Sequence, residues 1–263
     1  MALTLDHGPL STTPPREVNY SLDGPDHLLL FETFPRRVRA VFAGETIADT
    51  TDGKLLHESG HLPVLYIPDA DLREDLLVPS GHTTYCPFKG DAAYWSPTVG
   101  DTVADNAVWA YPEPRGEASW LRGHKAFSWD AMEAWYDEDE RVEGHLRDPY
   151  HRVDVRRTSR HVRVLHGDDV LAETDRAVLL SETGLPNMFY LPPEDVRADR
   201  LVRSVTSTVC PYKGTASYWS LAAGDGGVRV ADVAWCYPDP LENALKARGY
   251  LCFAHPDVRV EVA

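Results

Sequence analysis

Lysine is rare in this chain, and two of its five lysines stand at matching places. The five are Lys54, Lys89, Lys125, Lys213 and Lys246. Lys89 lies in Cys86-Pro87-Phe88-Lys89-Gly90, and Lys213 in Cys210-Pro211-Tyr212-Lys213-Gly214. An ammonium beside a glycine turn and a run of aromatics is a candidate for partial burial. Burial lowers a lysine's pKa, which suits base or Schiff-base chemistry, and such a group also anchors anions. The competing reading is a structural bridge, with Glu58 and Glu182 as the acids paired with Lys89 and Lys213. Cys86 and Cys210 precede the lysines by three residues. Each is a nucleophile if the ammonium stabilises its thiolate, and otherwise a small buried hydrophobe. No histidine near the motif recurs in both copies, which argues against a Cys–His dyad.

His57-Glu58-Ser59-Gly60-His61 spells a zinc-protease motif, which needs both histidines on one helical face. Gly60 and Pro63 interrupt any helix, and the second copy, Ser181-Glu182-Thr183-Gly184-Leu185, keeps only the Glu and Gly. A metal site special to the first copy, using His57, His61 and His82, is the weaker alternative to no metal. Aromatics recur as well: Tyr66, Tyr94, Trp95, Trp109 and Tyr111 match Tyr190, Tyr218, Trp219, Trp235 and Tyr237. On a strand the Tyr-Trp neighbours face opposite ways, while Trp-x-Tyr puts both rings on one face. Such rings line a cage for a small or cationic ligand, or fill the core of a small β lobe. Arg39 and Arg163, with Arg73 and Arg197, are candidate carboxylate or phosphate clamps. Their alternative is an exposed pairing with Asp71 or Asp195.

What must position these residues is a duplicated unit. The motif at Cys86 returns at Cys210, an offset of 124 residues that also relates Glu58 to Glu182 and Tyr66 to Tyr190. Past the second motif the offset is 126, so Trp109 matches Trp235 and Phe127 matches Phe253. The two extra residues fit the turn at Gly224–Gly227. The spacing divides the chain into a lead (1–35), a first repeat (36–127), a linker (128–159) and a second repeat (160–263). Short alternating runs and turns, such as Arg37 to Thr50, read as hairpins. The linker reads as a short amphipathic helix from Asp130 to Glu143, its run Asp137-Glu138-Asp139-Glu140 a solvated acidic face. The expected class is mainly β, α+β with little helix. Its two lobes form an internal pseudo-dimer within a monomer, or pair further as a homodimer.

Composition narrows the partners. The 263 residues carry 26 Lys and Arg against 41 Asp and Glu, a formal charge of −15. That argues against nucleic acid and against anionic membranes. No apolar run spans a bilayer, Met1 to Pro15 lacks the pattern of a secretory signal, and four cysteines show no paired spacing. A cytoplasmic protein is expected. No cofactor is expected either: the chain has no Gly-rich phosphate loop and no Gly-Ser followed by paired acids for a magnesium-bound triphosphate.

Arg37-Val38-Arg39, Leu-Leu-x-Glu-x-Gly at 55–60 and 179–184, Cys-Pro-Tyr-Lys-Gly at 210–214 and Trp-x-Tyr-Pro-Asp-Pro at 235–240 resemble the domain-of-unknown-function 427 family. Trp129 to Trp135 and Arg147 to Asp154 resemble its tandem, actinobacterial-type members. The resemblance covers roughly residues 30–263. It implies small, bent antiparallel sheets similar to the tent-shaped fold of methionine-sulfoxide reductase B. The two Cys-x-x-Cys pairs of the zinc-binding relatives are missing, so structural zinc is not expected. The functional expectation is a pocket for an acidic or polar metabolite in each lobe, with Lys/Glu acid–base chemistry open, and the second lobe is favoured. A non-enzymatic interaction or structural module is the alternative, and a nucleotide-handling enzyme a weaker one.

Overall fold

Alternation sets the strands. Val38-Arg39-Ala40-Val41-Phe42 buries its first, third and fifth residues and leaves the other two half-buried, the period that a strand with one face on a core requires. The structure is a computed structural model and describes residues 3–4, 8–11, 13, 25–223 and 227–263. Most of the Gly224–Gly227 turn expected to absorb the change of offset lies outside the described residues. Two units divide the chain, Met1–Tyr150 and His151–Ala263.

In the first unit the strands are β1 (Leu29–Thr33), β2 (Val38–Phe42), β3 (Glu45–Thr50), β4 (Lys54–Glu58), β5 (Val64–Pro68), β6 (Leu77–Cys86), β7 (Gly90–Val99), β8 (Thr102–Val103), β9 (Val108–Ala110), β10 (His124–Phe127), β11 (Ala134–Asp137) and β12 (Glu140–Arg141). A large sheet runs β1-β4-β5-β10-β9-β7-β6, with β8 beside β7, and a small one runs β12-β11-β2-β3. In the second unit they are β13 (Val153–Arg157), β14 (Val162–His166), β15 (Asp169–Thr174), β16 (Val178–Glu182), β17 (Met188–Leu191), β18 (Leu201–Cys210), β19 (Gly214–Ala222), β20 (Val228–Cys236), β21 (Leu251–Phe253) and β22 (Arg259–Val262). The large sheet runs β13-β16-β17-β21-β20-β19-β18 and the small one β15-β14-β22. The protein is mostly β, in two sheet-rich lobes, and helix among the described residues is confined to short 3-10 turns. No helix among them is long and apolar enough to cross a membrane.

Each large sheet carries a buried cluster on both faces. Neighbours on one strand enter different clusters: Leu55 joins Val38, Ile47 and Phe127, while Leu56 joins Tyr66, Tyr111 and Leu121. In the second lobe Leu191 joins Val162, Leu221 and Phe253, and Tyr190 joins Val155, Leu180 and Tyr237. The large sheet's second face, rich in Tyr and Trp, carries the residues singled out by their chemistry.

The linker helix does not form. Asp130 lies in a 3-10 turn, Trp129–Ala131, and the next residues become β11 and β12, joined through Glu138 at φ +54°. The reason is tertiary. β11 pairs along the free edge of β2, from Ala134 opposite Val41 to Asp137 opposite Val38. Trp135 is buried, donates its indole N–H to the Trp129 carbonyl at 3.1 Å and stacks on the Trp129 ring at 4.2 Å. A helix with four consecutive acids has no comparable gain, and an unpaired strand edge is costly to leave open. β22 covers β14 in the same way. At the other end, β1 and β13, 124 residues apart, pair with β4 and β16.

Candidate functional site

The Cys-Pro-x-Lys-Gly motif is a hairpin tip. Cys86 opposes Gly90 between β6 and β7, and Cys210 opposes Gly214 between β18 and β19. The glycines sit at φ +102° and +97°, where side chains are strained. A Cβ on Gly214 would also meet the Asp239 carbonyl oxygen at 3.2 Å, and one on Gly90 the Glu113 oxygen at 3.3 Å. The Lys213 carbonyl accepts the Leu241 N–H at 3.1 Å, and the Lys89 carbonyl the Arg115 N–H at 3.0 Å. The Trp-x-Tyr-Pro-x-Pro loop therefore clamps the tip, and both lysine side chains are buried.

Each lysine meets the expected glutamate. Lys213 Nζ donates to Glu182 Oε2, and Lys89 Nζ to Glu58 Oε2. The other carboxylate oxygen meets a histidine that sequence reasoning missed. His151 Nε2 lies 2.9 Å from Glu182 Oε1, and His27 Nε2 lies 2.8 Å from Glu58 Oε1. These histidines are 124 residues apart. The expectation that no histidine recurs beside the motif is thus corrected. The signal was the same offset, but both positions precede the stretch where the repeat becomes legible. The rings rest on the motif's own aromatics: His27 stacks on Phe88 at 3.7 Å, and His151 packs against Tyr212 at 4.2 Å. Burial by itself would raise the Glu182 carboxyl. Hydrogen bonds from His151 and Lys213 outweigh it and lower the pKa to about 2. Glu58 is lowered too, burial again being overcome by Lys89 and His27.

In the second lobe this hydrogen-bonded chain borders a cavity of about 390 Å³. Glu182 and Lys213 line it with Tyr190, Tyr218, Trp235 and Tyr237, and Asp232 stands at its wall. Burial pushes the phenols of Tyr190 and Tyr237 far up, so both stay neutral. Trp235 Nε1 donates to Tyr190 Oη at 3.1 Å, and Tyr218 Oη shares a hydrogen bond with Thr208 Oγ1 at 2.9 Å. In the first lobe Tyr66, Tyr111, Tyr94 and Trp109 gather in one cluster, with Lys89 Nζ 5.8 Å from the Tyr111 ring centre. Cys210 and Cys86 pack among these aromatics.

Several expected members lie elsewhere. Trp95 and Trp219 face the opposite cluster, as the alternation of a strand requires, under Lys125 and Arg203 respectively. Arg39 and Arg163 are corrected out of the aromatic site. Arg39 donates to the Glu138 carbonyl at 3.0 Å and reaches Asp139 at 3.2 Å, and Arg163 lies 3.6 Å from Glu173 and 3.4 Å from Glu261. Their strands belong to the small sheets: Glu138 and Asp139 come from the β11–β12 turn, Glu173 from β15 and Glu261 from β22. Arg73 and Arg197 pair with Asp75 and Asp199, not with Asp71 and Asp195, which accept the hydroxyls of Thr50 and Thr174.

The three histidines of the first-copy metal alternative are not brought together. His57 ends inside β4, fully buried, with Nε2 2.8 Å from Glu32 Oε1. His61 lies across a turn with its ring 6.5 Å from that of His27, and His82 packs on Tyr94 at 4.6 Å. Strand alternation and the turn at Gly60 scatter the three. Among the described residues no group of three His, Cys, Asp or Glu side chains is placed to hold a metal ion.

A search of the curated proteins finds no match to this chain. A family model matches twice, over residues 30–138 and 154–263, and these spans take in β11, β22 and all but the first residue of β1 and of β13, as well as both lysine motifs. The chain therefore belongs to the family described as a domain of unknown function (DUF427), and it carries that domain in tandem.

Proposed function

We propose that the second lobe binds a small polar molecule between its aromatic rings and the Lys213–Glu182 pair. The observation that carries this is the cavity of about 390 Å³, whose size and lining suit a metabolite. Glu182, with a pKa of about 2, is ionised throughout the neutral range. The wall thus offers a fixed carboxylate acceptor and an ammonium donor against faces for stacking. A carboxylate that acidic is a poor proton acceptor near neutrality, where a base of matched pKa is efficient. Binding is favoured over proton abstraction for that reason. The cytoplasm is the compartment this reading goes with, all four cysteines being free thiols.

The second reading is a structural module, in which the buried His–Glu–Lys chain only fixes the hairpin tip; the clamp of the Leu241 N–H on the Lys213 carbonyl favours it. In that reading the acidic run remains an exposed face for a protein partner, although Asp137, Glu138 and Asp139 also engage Arg36, the Arg37 backbone and Arg39. Saturation-transfer NMR on the full chain with a mixture of small polar metabolites separates the two. Met188→Trp, which fills the cavity from its wall, is the control. Signals present in the parent and lost in the variant support binding. No cavity-dependent signal from any compound overturns it in favour of the structural reading.

A further inference from the structure

A second depression of the same lobe, of about 360 Å³, differs in chemistry from the aromatic cavity. Arg157, Arg176 and Lys246 line it, with Thr158 and Tyr250. No carboxylate does so, in a chain of net charge −15. Arg157 ends β13, and Lys246 comes from the 3-10 turn Glu242–Ala247, which packs on that strand. Arg176 is held by a 2.7 Å hydrogen bond to Asp195 and feels the charge of Glu194. Arg157 and Lys246 have no side-chain hydrogen bond or ion pair among the described residues.

The first lobe is an internal control for this arrangement. At the positions of Arg157, Arg176 and Lys246 it has Thr33, Asp52 and Trp120, and at those of Val155 and Tyr250 it has Phe31 and His124. There Phe31 stacks on Trp120 at 4.7 Å and meets His124 edge-on at 5.4 Å. Where the first lobe has an aromatic stack, the second has a smaller valine and two cationic chains around a depression. The fold does not require those charges, since the same scaffold forms without them.

We propose that this depression is an anion site for the phosphate group of a small phosphorylated molecule. With Arg176 largely balanced by Asp195, the cations of Arg157 and Lys246 match a phosphate dianion. Guanidinium offers phosphate two parallel donors, ammonium offers a point charge, and the hydroxyls of Thr158 and Tyr250 add neutral donors. The volume suits a phosphate with a small remainder. The site is separate from the aromatic cavity and does not rest on it.

The test is titration of the full chain with inorganic phosphate and, in parallel, glycerol 3-phosphate, followed by calorimetry and by the backbone amide signals of residues 157–158 and 246–250. Saturable binding that moves those signals is expected. The exposed pair Arg157→Gln/Lys246→Met should weaken it by about tenfold or more, while Arg259→Gln, a charge loss on β22, should not. Tighter binding of the ester assigns a phosphorylated metabolite. Equal binding of the two narrows the site to the phosphate group alone, and in both cases the anion site stands. Absence of saturation, or equal affinity in the double variant, overturns it.

Discussion

Lys213→Met removes the ammonium from the buried His151–Glu182–Lys213 chain and leaves the carboxylate with one partner. Side chains of Lys213 and Glu182 are each about one-tenth exposed, so water replaces little of the lost interaction. Breaking a buried ion pair by removing one member costs about 3–5 kcal/mol. Glu182 keeps its 2.9 Å contact with His151, which places the expected loss near the low end, about 3 kcal/mol. For a lobe of this size that lowers the melting temperature by roughly 10–20 °C. Most of the loss comes from the stranded carboxylate, not from the missing attraction. Replacing that carboxylate as well, in Lys213→Met/Glu182→Leu, is therefore expected to recover at least half of it, a coupling readable as a double-mutant cycle. Calorimetry on the full chain measures both variants, with Lys89→Met as the matching perturbation of the first lobe. A single variant within about 1 kcal/mol of the parent, or a double variant no more stable than the single, refutes the reasoning.

Acid should weaken the second lobe through Glu182. Its folded pKa of about 2 lies below the ordinary value near 4.5, so its contribution is complete above that value and is lost as pH falls toward 2. After discounting for solvent screening, roughly 1–3 kcal/mol is at stake, and Glu182→Gln should flatten melting temperature against pH across that window. Gly214→Ala meets both a positive φ and the Asp239 carbonyl oxygen and should cost about 2–3 kcal/mol in urea unfolding. Gly167→Ala, at φ +60° in open space, should cost only about 1 kcal/mol by the same assay. Trp135→Ala should destabilise the first lobe by about 3–5 kcal/mol, whereas Asp130→Ala, which would uncap the expected linker helix, should stay within about 0.5 kcal/mol; chemical denaturation of the two variants checks this.

What could be read in the sequence was local or doubled. The hairpin at Arg37 to Thr50 shows its alternation within a few residues, and the opposed faces of Tyr218 and Trp219 follow from one strand's pleat. The Lys213–Glu182 pairing was legible because scarcity and recurrence pointed at the lysine. The third member of the chain was not. His151 lies just before β13 and meets Glu182 at the end of β16, and neither side of that contact announces the other. The linker failed for a related reason. Trp129, Met132, Trp135 and Tyr136 can be placed on a helix as readily as on a turn and strand, and the edge of β2 decides between them. The arginines were misplaced because Asp139, in the β11–β12 turn, and Glu261, on β22, come from far along the chain.

Duplication separates what the scaffold demands from what one lobe has made of it. Both lobes keep the positive-φ glycine, the clamped hairpin tip and the histidine–glutamate–lysine chain. A feature present in both is what either a fold or a shared activity would retain, so its recurrence alone chooses neither. The differences are more discriminating. At the aromatic cavity Leu185 and Asp232 stand where the first lobe has His61 and Asn106, and Asp232 and Asn106 share the same left-handed backbone. The backbone at that point is therefore set by the fold, while the charge is the second lobe's own. Lys246 in place of Trp120 repeats the pattern at the basic depression. Substitutions at these positions change the chemistry of a depression without touching the ion chain that holds the hairpin. Variants at Leu185 and Lys246, both exposed, are those whose effects on ligands can be read apart from their effects on stability.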